Sequence, residues 1–415
     1  MFEYKSLAKQ APDILEIIKR EMSRQQDELE LIASENYLSQ AVLETMATVL
    51  ANKYSEGYSG KRYYGGNQII DEIENLAINR AKELFGAQHV NVQPLSGSPA
   101  NAAVYMAFLK PGDKVLGLKL DHGGHLTHGH PINFSGILYD FVQYEVDANT
   151  GYIDMDKVEE TAKREKPKMI VAGYSAYSRE IDWERFAAIA KEVGAYSFAD
   201  ISHTAGLIAA GLMKSPVPYF DVISTTTHKT LRGPRGAIIM CKEEFAKQVD
   251  RAVFPGMQGG PHDHITAAKA VAFGEDLKPG FKEYAKQVII NAQALAKNLQ
   301  ALGYEIISGG TDNHLFVVNL YNKGLDGKTA EQALEKAGIS VSRSTIPNDP
   351  NPPLKPSGIR IGTPALTTRG FKEKEMAIVA AFIKRALENK DNEDKLEELK
   401  AEVKALCQSF PIPSI

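Results

Sequence analysis

From residue 68 to residue 240, helical periodicities alternate with short apolar runs, and this alternation restricts the fold more than any other feature of the chain. A helix over 68–85 stops at Gly86 and is followed by a strand at 89–93, a helix at 99–109 and a strand at 114–118. Further strands are expected at 137–144, 169–172, 195–199, 222–225 and 237–240, with helices such as 183–193 between them. Such a pattern reads as an α/β domain built on a mostly parallel sheet. In sheets of this kind a ligand sits beyond the carboxyl ends of the strands, so residues just past those ends are the first to inspect.

The rest of the chain is organised around that domain. Pro12 opens a helix whose Ile14, Ile17, Ile18 and Met22 recur at helical spacing, an arm expected to pack on another body, and Ser39 reads as the N-cap of a second helix. A long helix at 281–302 leads to strands at 304–307, 315–320 and 359–361 and helices at 328–337 and 373–387, a smaller α+β domain. The Lys/Glu-rich stretch 389–405 reads as a solvated helix face. The expected division is an N-terminal arm with dimer-contact helices over 1–55, a large domain over 56–278 and a small domain over 279–415. A length of 415 residues suits more than one core.

Composition excludes several function classes. With 48 Lys and Arg against 52 Asp and Glu, the net charge of −4 supplies no field that would draw nucleic acid or an anionic membrane. Two cysteines, Cys241 and Cys407, make neither a disulfide framework nor a metal knuckle. Met1-Phe2-Glu3-Tyr4-Lys5 lacks the regions of a signal peptide and no apolar run reaches membrane-spanning length. A cytoplasmic protein acting on small molecules is expected.

Six places in the chain carry candidate chemistry. After Val222 and Ile223 come Ser224-Thr225-Thr226-Thr227-His228-Lys229, then a Gly233-Pro234-Arg235-Gly236 turn. A lysine at a strand end, among hydrogen-bond donors and without a neighbouring carboxylate, is placed to lose its proton as a Schiff-base lysine does; a surface lysine after an edge strand is the alternative. Ser96-Gly97-Ser98-Pro99 joins strand to helix, either as a phosphate cradle at a helix N-terminus or as an ordinary N-cap with Pro99 first in the helix. Asp200 follows the strand at 195–199 and could keep a pyridinium nitrogen protonated. Together these are three parts of one pyridoxal-phosphate site. Arg360, on a short strand, could grip a substrate carboxylate or make a salt bridge between domains. In His122-Gly123-Gly124-His125-Leu126-Thr127-His128-Gly129-His130 no cysteine or carboxylate accompanies the imidazoles, so stacking of one ring on an aromatic ligand is expected rather than a metal. His262 and His264 read as structural. The loop 54–66, rich in glycine and tyrosine, is a ligand-contact surface or a surface loop held by packed rings; its Gly60-Lys61-Arg62 lacks the spacing and hydroxyl of a P-loop.

Over nearly its whole length the chain resembles serine hydroxymethyltransferases. The matching segments are Leu31 to Asn36, Asn52 to Tyr58, Gly60 to Gly66, His122 to Gly129, Thr225 to Gly236, Phe254 to Pro261 and Ser357 to Pro364. The resemblance implies the aspartate-aminotransferase-like fold (pyridoxal-phosphate fold type I), a homodimer with a tetramer possible, and reversible transfer of the serine hydroxymethyl group to tetrahydrofolate. It also implies roles. Lys229 would hold pyridoxal 5'-phosphate covalently, with Thr226 and His228 beside it. Asp200 would face the ring nitrogen, His125 would stack on the ring, and Ser175 and His203 would lie near its phenolic oxygen. Ser96, Gly97 and Ser98 would take the phosphate, helped by Gly259 and Gly260 of a neighbouring subunit. Ser34 and Arg360 would bind the amino acid, and Glu56, Tyr54 and Tyr64 would complete the site across the dimer, Glu56 as the proton shuttle. Folate contacts would come from Leu120, Gly124, His125, Leu126, Ser344, Pro352, Pro353 and Leu354.

The chain departs from the family pattern at Ser344, where bacterial members generally have a pterin-contacting asparagine, and at Ser202, where alanine is usual. Leu95 and Pro99 beside the phosphate turn also depart. The alternatives are the same transferase acting on a modified pterin, a folate-independent aldolase acting on 3-hydroxy amino acids, and a catalytically silent binding protein on the same fold.

Overall fold

The computed structural model describes residues 6–414; the Met1-to-Lys5 segment read above for a signal lies outside them. Seven strands form the central sheet in the order His89–Asn91, Ala237–Cys241, Val222–Thr226, Tyr196–Asp200, Met169–Gly173, Lys114–Leu118 and Asp140–Tyr144. Ala237–Cys241 runs antiparallel to both its neighbours, and the remaining pairings are parallel. Alternate side chains of each strand enter different cores. Val115, Val171, Phe198, Val222 and Ile239 pack on one face with the helix Gly97–Phe108, while Leu116, Ile170, Ala172, Ile223 and Met240 pack on the other. Because both faces are covered, these strands read as continuous apolar runs, each buried Val, Leu or Ile contributing roughly 1.5–3 kcal/mol.

Two strand boundaries move by two residues or more. The strand expected from Ile137 begins at Asp140, because the Asn133 side chain accepts from Ser135 N at 3.1 Å and caps a short helix, Phe134–Leu138, that leaves Ile137 exposed. The strand expected over 89–93 stops at Asn91, whose side chain accepts from Gln93 N at 3.0 Å in place of a ladder partner.

A second, four-stranded antiparallel sheet follows the order Glu305–Ile306, Leu315–Asn319, Gly358–Gly362 and Ser342–Ser344. The short Ser342–Ser344 strand, all polar in side chain, carried no sequence signal. Helix Pro279–Ala301 spans the two bodies, burying Phe281 in the first core and Leu295 and Leu299 in the second. Leu29 and Leu31 also belong to the second core, where Leu29–Glu30 pairs in parallel with Ile339–Ser340. The stretch expected as a solvated face is the helix Glu393–Gln408, and only one side of it meets solvent, since Leu396, Leu399, Val403 and Cys407 are buried. Helix Pro12–Asp27 has no buried residue and exposes Ile14, Ile17, Ile18 and Met22.

Candidate active site

Beyond the carboxyl ends of the central strands lies a cavity of about 320 Å³. Lys229, Asp200, Ser96, Gly97, Ser98, His125, Ser175, His203, Thr226, His228, Ser34 and Arg360 all line it. The strand before Lys229 is interior, not an edge, which removes the surface-lysine reading. Thr227 closes the turn that carries Lys229, its Oγ1 donating to Pro234 O at 2.6 Å and its carbonyl accepting from Gly233 N at 2.7 Å. Burial pulls the Lys229 ammonium down to about 8, with Asp200 opposing and Arg360 and Arg235 assisting.

Asp200 is the last residue of its strand, and donors surround it. Asn101 Nδ2 donates to Oδ2 at 2.8 Å, His128 Nε2 lies 3.3 Å from the same oxygen, and Ser202 N donates to Oδ1 at 3.1 Å. Burial works to raise this carboxyl, yet His128, His125 and Ser202 outweigh it and hold it below the usual carboxylate range. Asn101 is oriented in turn by Ser224 Oγ, which donates to its Oδ1 at 2.6 Å.

Helix Gly97–Phe108 begins two residues before Pro99, so Pro99 is third in the helix and not first. Its N-cap is Ser96, whose side chain makes no capping hydrogen bond. The hydroxyl that an ordinary N-cap would spend is therefore available to a ligand, at the positive end of the helix. A Cβ on Gly97 would lie 2.8 Å from Thr226 Cγ2, so this close approach of turn and strand end requires glycine.

Three histidines of the 122–130 cluster turn to different partners. His125 Nδ1 lies 2.7 Å from Thr127 Oγ1, and burial lowers its pKa to about 4, leaving a neutral ring at the cavity. His128 faces Asp200, while His122 Nδ1 accepts from Val146 N at 3.2 Å. His203 stacks on His314 with 5.4 Å between centroids. His262 and His264, expected to be structural, stack on each other at 5.8 Å. Arg360 donates to Ser175 O at 2.7 Å and to Ser342 Oγ at 3.2 Å, and among the described residues it pairs with no carboxylate, which removes the interdomain salt bridge. Burial lowers it to about 10, so it remains a charged, poorly solvated donor.

A second cluster lies outside the cavity lining. Tyr64 Oη donates to Glu56 Oε2 at 3.2 Å, the rings of Tyr54 and Tyr64 meet edge-on at 5.5 Å, and Tyr54 and Tyr64 are about half exposed. Gly259 and Gly260 pack beside them; an added Cβ would lie 3.0 Å from Glu56 Oε1 and 3.2 Å from the Tyr54 ring, respectively. The loop is pinned rather than floppy. Arg62 Nη1 donates to Ser55 O and Gly57 O at 2.9 and 2.8 Å, on either side of Glu56. None of these five residues lines the cavity with Lys229.

Of the folate-contact candidates, only His125 lines the cavity. Ser344 spends its hydroxyl on Thr345 O at 3.1 Å, Leu120 opens a short 3-10 turn, and Gly124 packs against the Leu118 backbone. Leu126 and Leu354 are exposed, and Pro352 and Pro353 precede Leu354 in its loop. The expectations above gave no role in the site to Glu35, Asn101, Tyr174, Ser202 and Arg235, which also line the cavity. Asn101 carried one signal, its place a helical turn beyond Gly97.

The family model of serine hydroxymethyltransferase matches residues 7–383 of this chain. The chain belongs to that family. Serine hydroxymethyltransferases from Legionella pneumophila strains Corby, Lens and Paris are each 56% identical over 415 residues, covering 99% of this chain and 100% of their own. The family has pyridoxal-phosphate fold type I, in agreement with the α/β body and its seven-stranded sheet. The cavity fits the family's cofactor, because it offers a buried lysine of lowered pKa, a carboxylate held charged and a helix N-cap with its hydroxyl unspent.

Proposed function

We propose that this protein transfers the hydroxymethyl group of serine to tetrahydrofolate, reversibly, giving glycine and 5,10-methylenetetrahydrofolate. The observation that carries the proposal is the convergence of Lys229, Asp200, the Ser96–Ser98 turn and Arg360 on one cavity in a chain of this family. The test is formation of glycine from serine by the purified protein, with and without tetrahydrofolate. Glycine formation that depends on tetrahydrofolate supports the transferase; equal cleavage without it would establish the aldolase, which the family match does not favour.

Pyridoxal 5'-phosphate, when bound, supplies a ring that takes up the electron pair released as the serine Cα–Cβ bond breaks. The hydroxyls of Ser96 and Ser98 and the N–H groups of Gly97 and Ser98 hold its phosphate. The charged Asp200 carboxylate keeps a proton on the ring nitrogen. His125, neutral through burial, would stack on the ring without adding charge, and His203 and Ser175 would serve its phenolic oxygen. Lys229 Nζ is the covalent attachment point, with Thr226 and His228 beside it. It reacts only when neutral, so the rate of covalent uptake by the apoprotein is expected to rise with pH about a midpoint near 8 and level off above it. Stopped-flow absorbance between pH 6 and pH 10 checks this; a midpoint near the ordinary lysine value of 10.5 would remove the role given to burial.

Arg360, with Ser34, holds the serine carboxylate and so orients the bond to be broken across the ring face. Arg360→Lys keeps the charge but loses the bidentate fork. It is expected to raise KM for serine by about tenfold to a hundredfold with cofactor affinity unchanged. Steady-state kinetics alongside a cofactor titration separates the two effects.

Glu56, Tyr54, Tyr64, Gly259 and Gly260 serve the site of a second subunit in a homodimer, where Glu56 carries the proton at the serine hydroxyl. The exposed apolar stripe of Pro12–Asp27 supports such an association. Leu120, Gly124, Leu126, Ser344 and Pro352 to Leu354 form the pterin-contact region in this reading. Among the described residues no helix is long and apolar enough to cross a membrane, and a cytoplasmic location fits this small-molecule chemistry.

A further inference from the structure

Lys269 sits in the middle of helix Asp263–Asp276 and is 1% exposed. Its Nζ donates to three backbone carbonyls, Val92 O at 2.6 Å, Ala237 O at 2.9 Å and Pro94 O at 3.0 Å. Three N–H groups meet three acceptors, so the ammonium is fully used. No carboxylate contacts it among the described residues. Burial pulls the Lys269 ammonium down to about 7, with the Glu74 carboxylate opposing, and the three carbonyls favour the protonated form because only an ammonium offers each of them an N–H. Glu74 itself is taken by Gln93 Nε2 at 2.8 Å and Arg62 Nη2 at 3.1 Å. A methionine would fill this volume without the cost of burying a charge, so retaining the charge needs a reason.

The reason lies in where the carbonyls are. Val92 and Pro94 belong to the segment that runs directly into the Ser96–Ser98 turn. Ala237 follows Arg235 and Gly236, which close the loop carrying Lys229. Three carbonyl oxygens facing one another repel unless a cation stands between them. Gly236 leaves room for that cation, since a Cβ there would lie 2.5 Å from Lys269 Cε.

We propose that Lys269 is a positioning residue whose ammonium acts as an internal cation, gathering the carbonyls of Val92, Pro94 and Ala237 and thereby fixing the phosphate turn against the Lys229 loop. The inference rests on the reading of Ser96–Ser98 as the phosphate site. It is tested by titrating full-length apoprotein with pyridoxal 5'-phosphate in sodium, ammonium, methylammonium or tetramethylammonium chloride, with thermal unfolding measured alongside. Lys269→Met is expected to weaken cofactor binding by at least about tenfold, the scale of lost hydrogen bonds to a charged group. Lys269→Ala, which opens a space ringed by the three carbonyls, is expected to bind weakly in sodium or tetramethylammonium and to recover in ammonium or methylammonium. Gly236→Ala, which keeps the lysine but pushes its stem away, is expected to weaken binding in every salt, and it decides the matter should the Lys269 variants fail to fold.

Cofactor affinity indistinguishable from wild type in Lys269→Met or in Gly236→Ala would overturn the proposal. So would a loss in Lys269→Ala that follows its thermal destabilisation and ignores the cation. Wild-type protein that takes up no cofactor would instead overturn the reading of the cavity, which distinguishes the two failures.

Discussion

Asp200→Asn is expected to lower kcat/KM for serine by about a hundredfold to a thousandfold, the scale for removing a preorganised electrostatic group from a closed site. Both carboxylate oxygens accept hydrogen bonds, Oδ2 from Asn101 and Oδ1 from Ser202 N, with His128 Nε2 beside Oδ2. An asparagine amide would therefore turn its NH₂ toward a donor in either orientation. More important, in the proposed role the net charge opposite the ring nitrogen would disappear, and a neutral amide would not hold a proton on that nitrogen. Because the carboxyl of Asp200 is held below its ordinary range, wild-type protein keeps this charge throughout any neutral assay. The cofactor is still expected to bind, through Lys229 and the Ser96–Ser98 turn, so its visible absorbance persists while turnover falls. A loss in kcat/KM of less than about tenfold would mean that the carboxylate only orients Asn101 and His128.

The sequence carried much of this site because its parts sit at strand ends, and strand ends can be read from where apolar runs stop. Asp200, Lys229 and the Ser96–Ser98 turn each follow such a run, and the parallel sheet brings them together. The groups that tune them are harder to read. Asn101, which holds Asp200, looks like any polar residue of a helix, since its partner is 99 positions away. Lys269 looks like a surface lysine between alanines; burial, which no local pattern announces, makes it structural. Asn36 is another case. Its amide donates to Lys229 O and Tyr284 Oη while its oxygen accepts from Thr368 Oγ1, at 2.9, 2.8 and 2.7 Å, tying the segment of Ser34 to the lysine turn. Fold type is legible because periodicity is local. Second partners are not, because they depend on tertiary distance alone.

The separation of the two clusters leads to a complementation result. Glu56→Gln removes the proposed proton carrier while keeping its shape, and Lys229→Ala removes the proposed covalent attachment point; each variant alone is expected to lose about 10²–10⁴-fold in turnover. Glu56 is held in its own chain by Tyr64 and by the Arg62 clamp on Ser55 and Gly57, and it does not line the cavity of Lys229. If it acts across a two-fold axis, a heterodimer of the two variants contains one site with both mutations and one site with neither. The isolated heterodimer, co-expressed with two different tags, is then expected to regain about half the activity of a wild-type dimer, since a two-fold interface offers each site one residue set from each subunit. If Glu56 served its own chain, every site in that heterodimer would lack one group and mixing would restore nothing. Ser55 Oγ also donates to Asp263 Oδ1 at 2.6 Å, at the head of the helix that holds Lys269. The loop proposed to serve a partner and the frame beneath the proposed phosphate turn therefore share one helix. That arrangement gives the loop of Glu56 a fixed, rather than a mobile, place.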